Sequence, residues 1–358
     1  MSCYHPLKRF SIGINPQTGK SLGKVVPYET DHIEKIRGSY IPVTVSNRSD
    51  LADSCFYEYV EIPCGQCIGC RLDYSRQWAD RMLLEYDHTK KACFVTLTYN
   101  DTFVPHTDIS EDIYTLRKED LQKFMKRLRE HFDGVEIRFY ACGEYGSHTF
   151  RPHYHIILFG LDKEDFAEKP EKCKFNCNEC FRICGKNEIG NNYYSSCLLS
   201  YLWPYGFSMV ADYSWNSGAY VSRYVTKKLK GTSKELYEQF HLVPPFTQMS
   251  LKPGIGSFYY QENKEKFKEL DIIPIPTEKG SKEIYRPKYF TNKLEKEFPE
   301  IFEEKKYLSQ FLRERRKENI EMQTSLCYTD YLEVCEYNKI NQLKVFDLRD
   351  PDIVPVCR

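Results

Sequence analysis

No run of apolar residues in this 358-residue chain approaches the ~18 needed to cross a bilayer. The N-terminal MSCYHPLKRF has no apolar core of the kind a secretion signal carries, so the expectation is a cytosolic protein with no membrane association. An excess of one charge is also missing, since 51 Lys and Arg balance 51 Asp and Glu. Total charge therefore gives no attraction to nucleic acid, and any such attraction must come from local distribution. There is no GxxxxGK[ST] phosphate loop, which excludes a P-loop helicase within this sequence. No internal repeat is visible.

Cysteine is abundant, with fifteen in the chain. A reducing compartment argues against a disulfide framework, which leaves metal binding as the first explanation. The 28 tyrosines and 22 phenylalanines could stack nucleic-acid bases or simply fill cores, and composition does not separate the two. The length suggests two domains, or one with large additions.

Residues 1–62 mix Gly, Pro, Thr and Ser with β-prone pieces such as YIPVTV and read as irregular or short-stranded. PCGQCIGC at 63–70 leads into a helical pattern of Leu72, Ser75, Ala79, Met82, Leu83 and Tyr86. CFVTLTY at 93–99 reads as a strand. In LRKEDLQKFMKRLREHF, Leu121, Phe124, Met125, Leu128 and Phe132 share one helical face. VEIRFYAC at 135–142 alternates as a second strand, and a polar link, GEYGSHTFRP, connects it to a third, HYHIILF. A further helix is predicted at 216–230. Strand, helix, strand, strand, helix fits an α+β fold: a central antiparallel sheet with split βαβ topology and helices on one face. Residues 233–358 read as loops plus a charged helix with Ile301, Lys305, Leu308 and Leu312 in register.

Two constellations can carry chemistry. Alternation sends His153 and His155 to one face of their strand, where both imidazoles can reach one cation. Taken alone, the pair also fits a structural role. Glu144, in the link before this strand, would complete a two-histidine, one-carboxylate set, with His148 as the other candidate. A hard oxygen beside two nitrogens suits Mg²⁺ or Mn²⁺.

The second constellation is SGAYVSRYVTKKLKG at 217–231. At ~100° per residue, Tyr220, Tyr224, Lys227 and Lys228 share one helical stripe, beside an apolar stripe of Val221, Val225 and Leu229. From Arg223 to Lys234 there are five basic residues and no acidic one, a local patch in which Arg223, Lys228 and Lys230 could hold phosphates. A phenol is a poor nucleophile at neutral pH, so attack on phosphate needs a cation and a neighbouring lysine. The alternative is an aromatic face packed in a core with its lysines in water.

TLTY at 96–99, HYH at 153–155 and VSRYVTK at 221–227 resemble, in order and character, the three motifs of HUH endonucleases. PCGQCIGCR, ACGEYG, LWPYGF and FTQMSLKPGIG extend the likeness to the rolling-circle replication initiators of gokushovirus-like microviruses. The similarity covers roughly residues 60–260. It implies that His153 and His155 are the paired metal ligands and Glu144 the acidic residue preceding them. Tyr224 and Lys227 match the nucleophile and lysine of VxxYxxK, and Tyr220 the second tyrosine. The implied activity nicks single-stranded DNA, keeps the 5′ end as a phosphotyrosine and leaves a 3′-OH. A single-stranded origin, a host helicase and a host polymerase are the implied partners, in a bacterial cytoplasm. A zinc-stabilised nucleic-acid-binding protein without catalysis is the alternative.

Cys64, Cys67 and Cys70 have the spacing of zinc thiolates, with Cys55 and Cys93 as candidate fourth ligands. Cys173, Cys177, Cys180 and Cys184 could close a second tetrahedral site. That insertion, at about 170–200, is where the chain departs from the family pattern. The expected domains are 1–62, an endonuclease domain at 63–232 and a C-terminal region at 233–358.

Overall fold

A computed structural model describes residues 3–19, 21–45, 49–146, 149–170, 179–186, 191–223, 232–277 and 280–347. The chain divides into two compact units. One is Met1–Asp73 with Leu308–Leu348, and the other is Tyr74–Tyr307 with Arg349–Arg358.

The first unit opens with six short strands: β1 (Leu7–Ile14), β2 (Ser21–Pro27), β3 (His32–Ile36), β4 (Ser39–Val43), β5 (Ser54–Phe56) and β6 (Tyr59–Ile62). They form two three-stranded antiparallel sheets, β2-β1-β6 and β4-β3-β5. The segment read as irregular or short-stranded thus contains six short strands joined by turns and loops. Its core is small: Phe10, Val26 and Ile33 are buried, with Ile12, Tyr40 and Phe56 packed against them.

Helix α1 (Ile68–Thr89) begins in this unit and continues into the second. There follow β7 (Ala92–Tyr99), α2 (Lys118–His131), β8 (Arg138–Tyr145), β9 (Pro152–Phe159), β10 (Phe181–Lys186), β11 (Asn192–Ser196), α3 (Cys197–Leu202), β12 (Gly206–Asp212) and α4 (Trp215–Arg223). Then come α5 (Thr232–Gln239), β13 (Phe246–Met249), α6 (Ser257–Asn263), α7 (Lys266–Glu269), β14 (Ile272–Thr277), β15 (Gly280–Tyr285), α8 (Lys288–Glu297), α9 (Pro299–Gln323) and α10 (Tyr328–Asp347).

The second unit is built on a seven-stranded sheet in the order β10-β11-β12-β7-β9-β8-β13. β9 lies between β7 and β8 and is antiparallel to both. The link from β7 to β8 therefore crosses over β9 and carries α2. β7 is β-branched and aromatic because it is covered on both sides. Val95, Leu97 and Tyr99 join Tyr154, Ile156 and Leu158 under α2 and α3. Phe94, Ile157 and Phe159 face the other way, under Met82 of α1 and Val221 of α4. The α+β class and antiparallel sheet agree with the sequence, but helices cover both faces rather than one. The alternating strand pattern hides this, because a two-faced sheet is apolar on each side. On α2, Leu121, Phe124, Met125 and Leu128 are buried, each worth about 1.5–3 kcal/mol, which fixes this helix to its face.

Past β13, the β14–β15 hairpin and α8 pack with Leu83, Leu84, Tyr260 and Phe267 in a third core.

Candidate metal and tyrosine site

β8 extends to Tyr145, so Glu144 lies on a strand and not in the link where the sequence suggested it. Pairing of β8 with β9 places Glu144 directly opposite His153, and pairing of β7 with β9 places Thr96 directly opposite His155. Because side chains alternate, the face of β9 that carries His153 also carries His155. The carboxylate and both imidazoles consequently converge.

Both histidines present the same atom. His153 Nε2 and His155 Nε2 each lie 3.1 Å from Glu144 Oε1. Their other nitrogens are engaged: His153 Nδ1 donates to Arg151 O at 3.1 Å, and His155 Nδ1 lies 3.0 Å from Thr96 Oγ1. A neutral imidazole has one N–H, so with Nδ1–H given to a carbonyl, His153 turns a bare lone pair toward a carboxylate oxygen. Two acceptors at that distance are held together by a second proton or by a shared cation. Adjacent ligands of an octahedral ion with bonds of about 2.1 Å are themselves about 3 Å apart, so this donor set fits Mg²⁺ or Mn²⁺.

Two of the three groups are buried. Glu144 and His155 are each 2% exposed. Burial pushes the Glu144 carboxyl up, but the two imidazoles beside it, when they carry the proton, outweigh this and bring it down to about 2. The group therefore keeps its charge over the whole neutral range. Phe94 stacks on the His155 ring with centroids 5.4 Å apart.

Tyr220 comes to this cluster from α4. Its ring meets His155 edge-on at 5.2 Å and Phe94 at 6.4 Å. The helix is anchored by a buried serine pair: Ser222 Oγ donates to Ser75 O at 2.9 Å and lies 2.9 Å from Ser75 Oγ on α1. Gly218 brings α4 close, since a Cβ there would sit 3.3 Å from the Tyr213 hydroxyl and 3.4 Å from Met82. Val221 is buried in the core beneath, as the apolar stripe required. Arg223 is exposed at the end of the helix. Tyr224, Lys227, Lys228 and Lys230 lie outside the described residues, as does His148.

Sequence reasoning missed Thr96 as a positioning residue. Alternation put it on the side of Phe94, but the register that sets it against His155 is a pairing of distant segments. A polar residue inside an apolar strand was the available signal.

The cysteines separate into groups. Cys64, Cys67 and Cys70 meet Cys3, with one ligand atom of each within 4.8 Å of the others. Neither suggested fourth ligand takes part. Cys93 is buried in β7 of the other unit, and Cys55 on β5 groups with His32 and Glu34. The cysteines at 64, 67 and 70 carry a readable spacing, but a partner some sixty residues upstream leaves no spacing signal. Cys180 precedes β10 and Cys184 lies on it, in a strand at the edge of the large sheet. Cys173 and Cys177 lie outside the described residues.

An antiparallel sheet that presents two histidines and a carboxylate on one face, with a helix-borne tyrosine against them, defines a candidate metal-binding site in an α+β protein. The chain belongs to the family of replication-associated proteins of the ORF2 type, the microvirus-like replication initiators, whose family model matches residues 92–229. That match starts at the first residue of β7 and covers all the residues of the cluster. The chain is 33% identical over 293 residues to the replication-associated protein ORF2 of Spiroplasma virus 4, covering 79% of this chain and 83% of that protein. It is 28% identical over 245 residues to the replication-associated protein VP4 of Bdellovibrio phage phiMH2K, covering 66% of this chain and 69% of that protein. A third relative, the replication-associated protein ORF4 of Chlamydia phage 1, is 29% identical over 170 residues, 47% of this chain and 38% of that protein. No solved structure matches. Among the described residues no helix is long and apolar enough to cross a membrane.

Proposed function

We propose that this protein nicks and rejoins single-stranded DNA by tyrosine transesterification and so initiates rolling-circle replication of a small circular genome. The observation that carries this reading is Tyr220 seated against His155 of the two-histidine, one-carboxylate group. Binding alone calls for neither feature. The order β12-β7-β9-β8, with α2 carried over β9, supports a split βαβ arrangement of the HUH kind.

Glu144, His153 and His155 would hold Mg²⁺ or Mn²⁺, which when bound withdraws charge from phosphate oxygens and makes phosphorus more electrophilic. The Arg151 carbonyl and Thr96 hydroxyl keep both rings turned so that Nε2 faces the carboxylate. The resemblance matches Tyr224 with the family's nucleophile and Tyr220 with its second tyrosine, with Lys227 offsetting the charge that develops. The tyrosine oxygen bonds to phosphorus as the bond from phosphorus to the 3′ oxygen breaks. The tyrosine proton leaves, and the released oxygen takes up a proton as the free 3′-OH. One phosphate ester replaces another, so the step is reversible and Tyr220 can serve a second transfer that closes the circle. Arg223, Lys228 and Lys230 would hold strand phosphates. The partners on this reading are the single-stranded origin and a host helicase and polymerase, in the cytoplasm of a bacterium. The sources of the relatives, phages of bacteria, support that setting. The catalytic domain would be residues 63–232, carrying a Cys-rich insertion at about 170–200.

An end-labelled single-stranded origin oligonucleotide is incubated with the full chain and Mn²⁺ and resolved on a denaturing gel. Label should migrate with the protein. The reading fails if none does, or if the adduct persists in the Tyr220→Phe, Tyr224→Phe double variant. Changing His153 and His155 to Ala should abolish cleavage and spare DNA binding. Equal loss of both would assign the histidines a structural role.

A further inference from the structure

We infer that Cys3, Cys64, Cys67 and Cys70 form a tetrathiolate Zn²⁺ site that clips the start of the chain to the start of α1. The inference is independent of the catalytic reading. Four thiols meet here, with Sγ atoms 4.0 Å apart for Cys64 and Cys70 and 3.9 Å apart for Cys67 and Cys3. A tetrahedron with metal–sulfur bonds of about 2.3 Å has edges of about 3.8 Å, so these are the separations of ligands sharing one ion. A disulfide, with sulfurs about 2.05 Å apart, is a different arrangement, and all four cysteines are free. A four-iron cluster would spread its thiolates farther apart.

The backbone around the sulfurs is arranged for negative charge. Cys64 Sγ accepts from Gln66 N at 3.4 Å and from Cys67 N at 3.3 Å, around a turn whose Gly65 adopts φ +71°. Cys67 Sγ accepts from Tyr4 N at 3.3 Å and Cys70 N at 3.5 Å, and Cys3 Sγ accepts from Cys64 N at 3.3 Å. Cys67 immediately precedes α1 and Cys70 lies in its first turn, where the helix dipole favours anions. Cys3 and Cys67 are buried. On binding, each thiol releases its proton to solvent and its sulfur takes up the ion. The site then carries two negative charges, offset by those N–H groups and the helix end.

The small strand core of the first unit would gain from such a staple. Its six strands enclose a core cluster of only three buried apolar side chains among the described residues, and small cores of this kind are held by metals or disulfides. The segment between Cys3 and Cys64 contains all six strands, so one ion would close the loop that carries both sheets.

The test uses the full chain purified without chelator. Bound metals are quantified by plasma mass spectrometry, and thiols are mapped by alkylation with and without a chelator. The expectation is that Cys3, Cys64, Cys67 and Cys70 resist alkylation together while exposed Cys327 reacts, and that chelation releases all four at once. Cys3→Ser should lose one equivalent of zinc relative to the parent, whatever the other cysteines bind, and Cys327→Ser should lose none. If Cys3→Ser does not fold, the alkylation pattern of the parent chain decides. Cys3 reacting as fast as Cys327 before chelation would overturn the site. Iron in place of zinc, or a parent chain that takes up no Zn²⁺ when titrated with it, would equally overturn it.

Discussion

Thr96→Val removes one hydroxyl from the site and little else. Thr96 faces His155 across the β7–β9 ladder, both residues are 2% exposed, and the Oγ1 to Nδ1 distance is 3.0 Å. Valine keeps the branched shape a strand favours and removes the bond that sets which nitrogen of His155 turns inward. Outer-shell partners of metal-ligating histidines are typically worth 10–100-fold in metal affinity, or about 1.4–2.7 kcal/mol. Phe94 stacked on the same ring limits its rotation, which argues for the lower end, roughly tenfold. The assay is Mn²⁺ affinity by isothermal titration, together with the Mn²⁺ dependence of oligonucleotide cleavage. Thr96→Ser keeps the hydroxyl and should behave as the parent. Two results would refute the reasoning: unchanged Mn²⁺ affinity in Thr96→Val, or equal impairment of the serine and valine variants.

Three stability predictions accompany it. Arg138→Met leaves Glu85 buried without its ion-pair partner, its carboxylate still accepting from the Gly256 N–H, and should cost about 3–5 kcal/mol by urea denaturation. A loss below ~1 kcal/mol would show that water or another group reaches Glu85. Ser222→Ala removes the serine contact between α1 and α4 and should cost about 1–2 kcal/mol, with phosphotyrosine adduct formation falling in parallel; unchanged unfolding would separate the anchor from the site. Gly206→Ala would put a Cβ 2.3 Å from Thr98 O and 2.4 Å from Asn100 N, both backbone atoms of the strand end or its exit. The strand must shift, so thermal unfolding should come several degrees earlier, on the order of the 2–4 °C per kcal/mol seen in domains of this size. An unchanged melting temperature would mean that this end of the β7–β12 pairing yields easily.

The legibility of the chain follows from how far apart the interacting residues are. The α2 stripe of Leu121, Phe124, Met125 and Leu128 repeats every three or four residues, so sequence shows which face is buried. The same holds for His153 and His155, whose shared face is fixed by strand alternation alone. Glu144 was legible as a partner but not as a strand residue. Polar composition marks Gly143–Tyr145 as a link, while the pairing of β8 with β9 carries the strand through it. Tertiary pairing overrode local preference there.

By itself, then, the sequence determined the candidate ligands, the class of the fold and the motifs that tie the chain to its relatives. These depend on residue type and short-range period. Only the tertiary structure decided that Thr96 holds His155, that Ser75 and Ser222 lock the tyrosine helix, that both sheet faces are covered, and that Cys3 is the fourth thiol. The physical reason is common to all four. Each is a contact between segments tens of residues apart, set by strand register and chain closure, and neither leaves a periodic mark on the sequence.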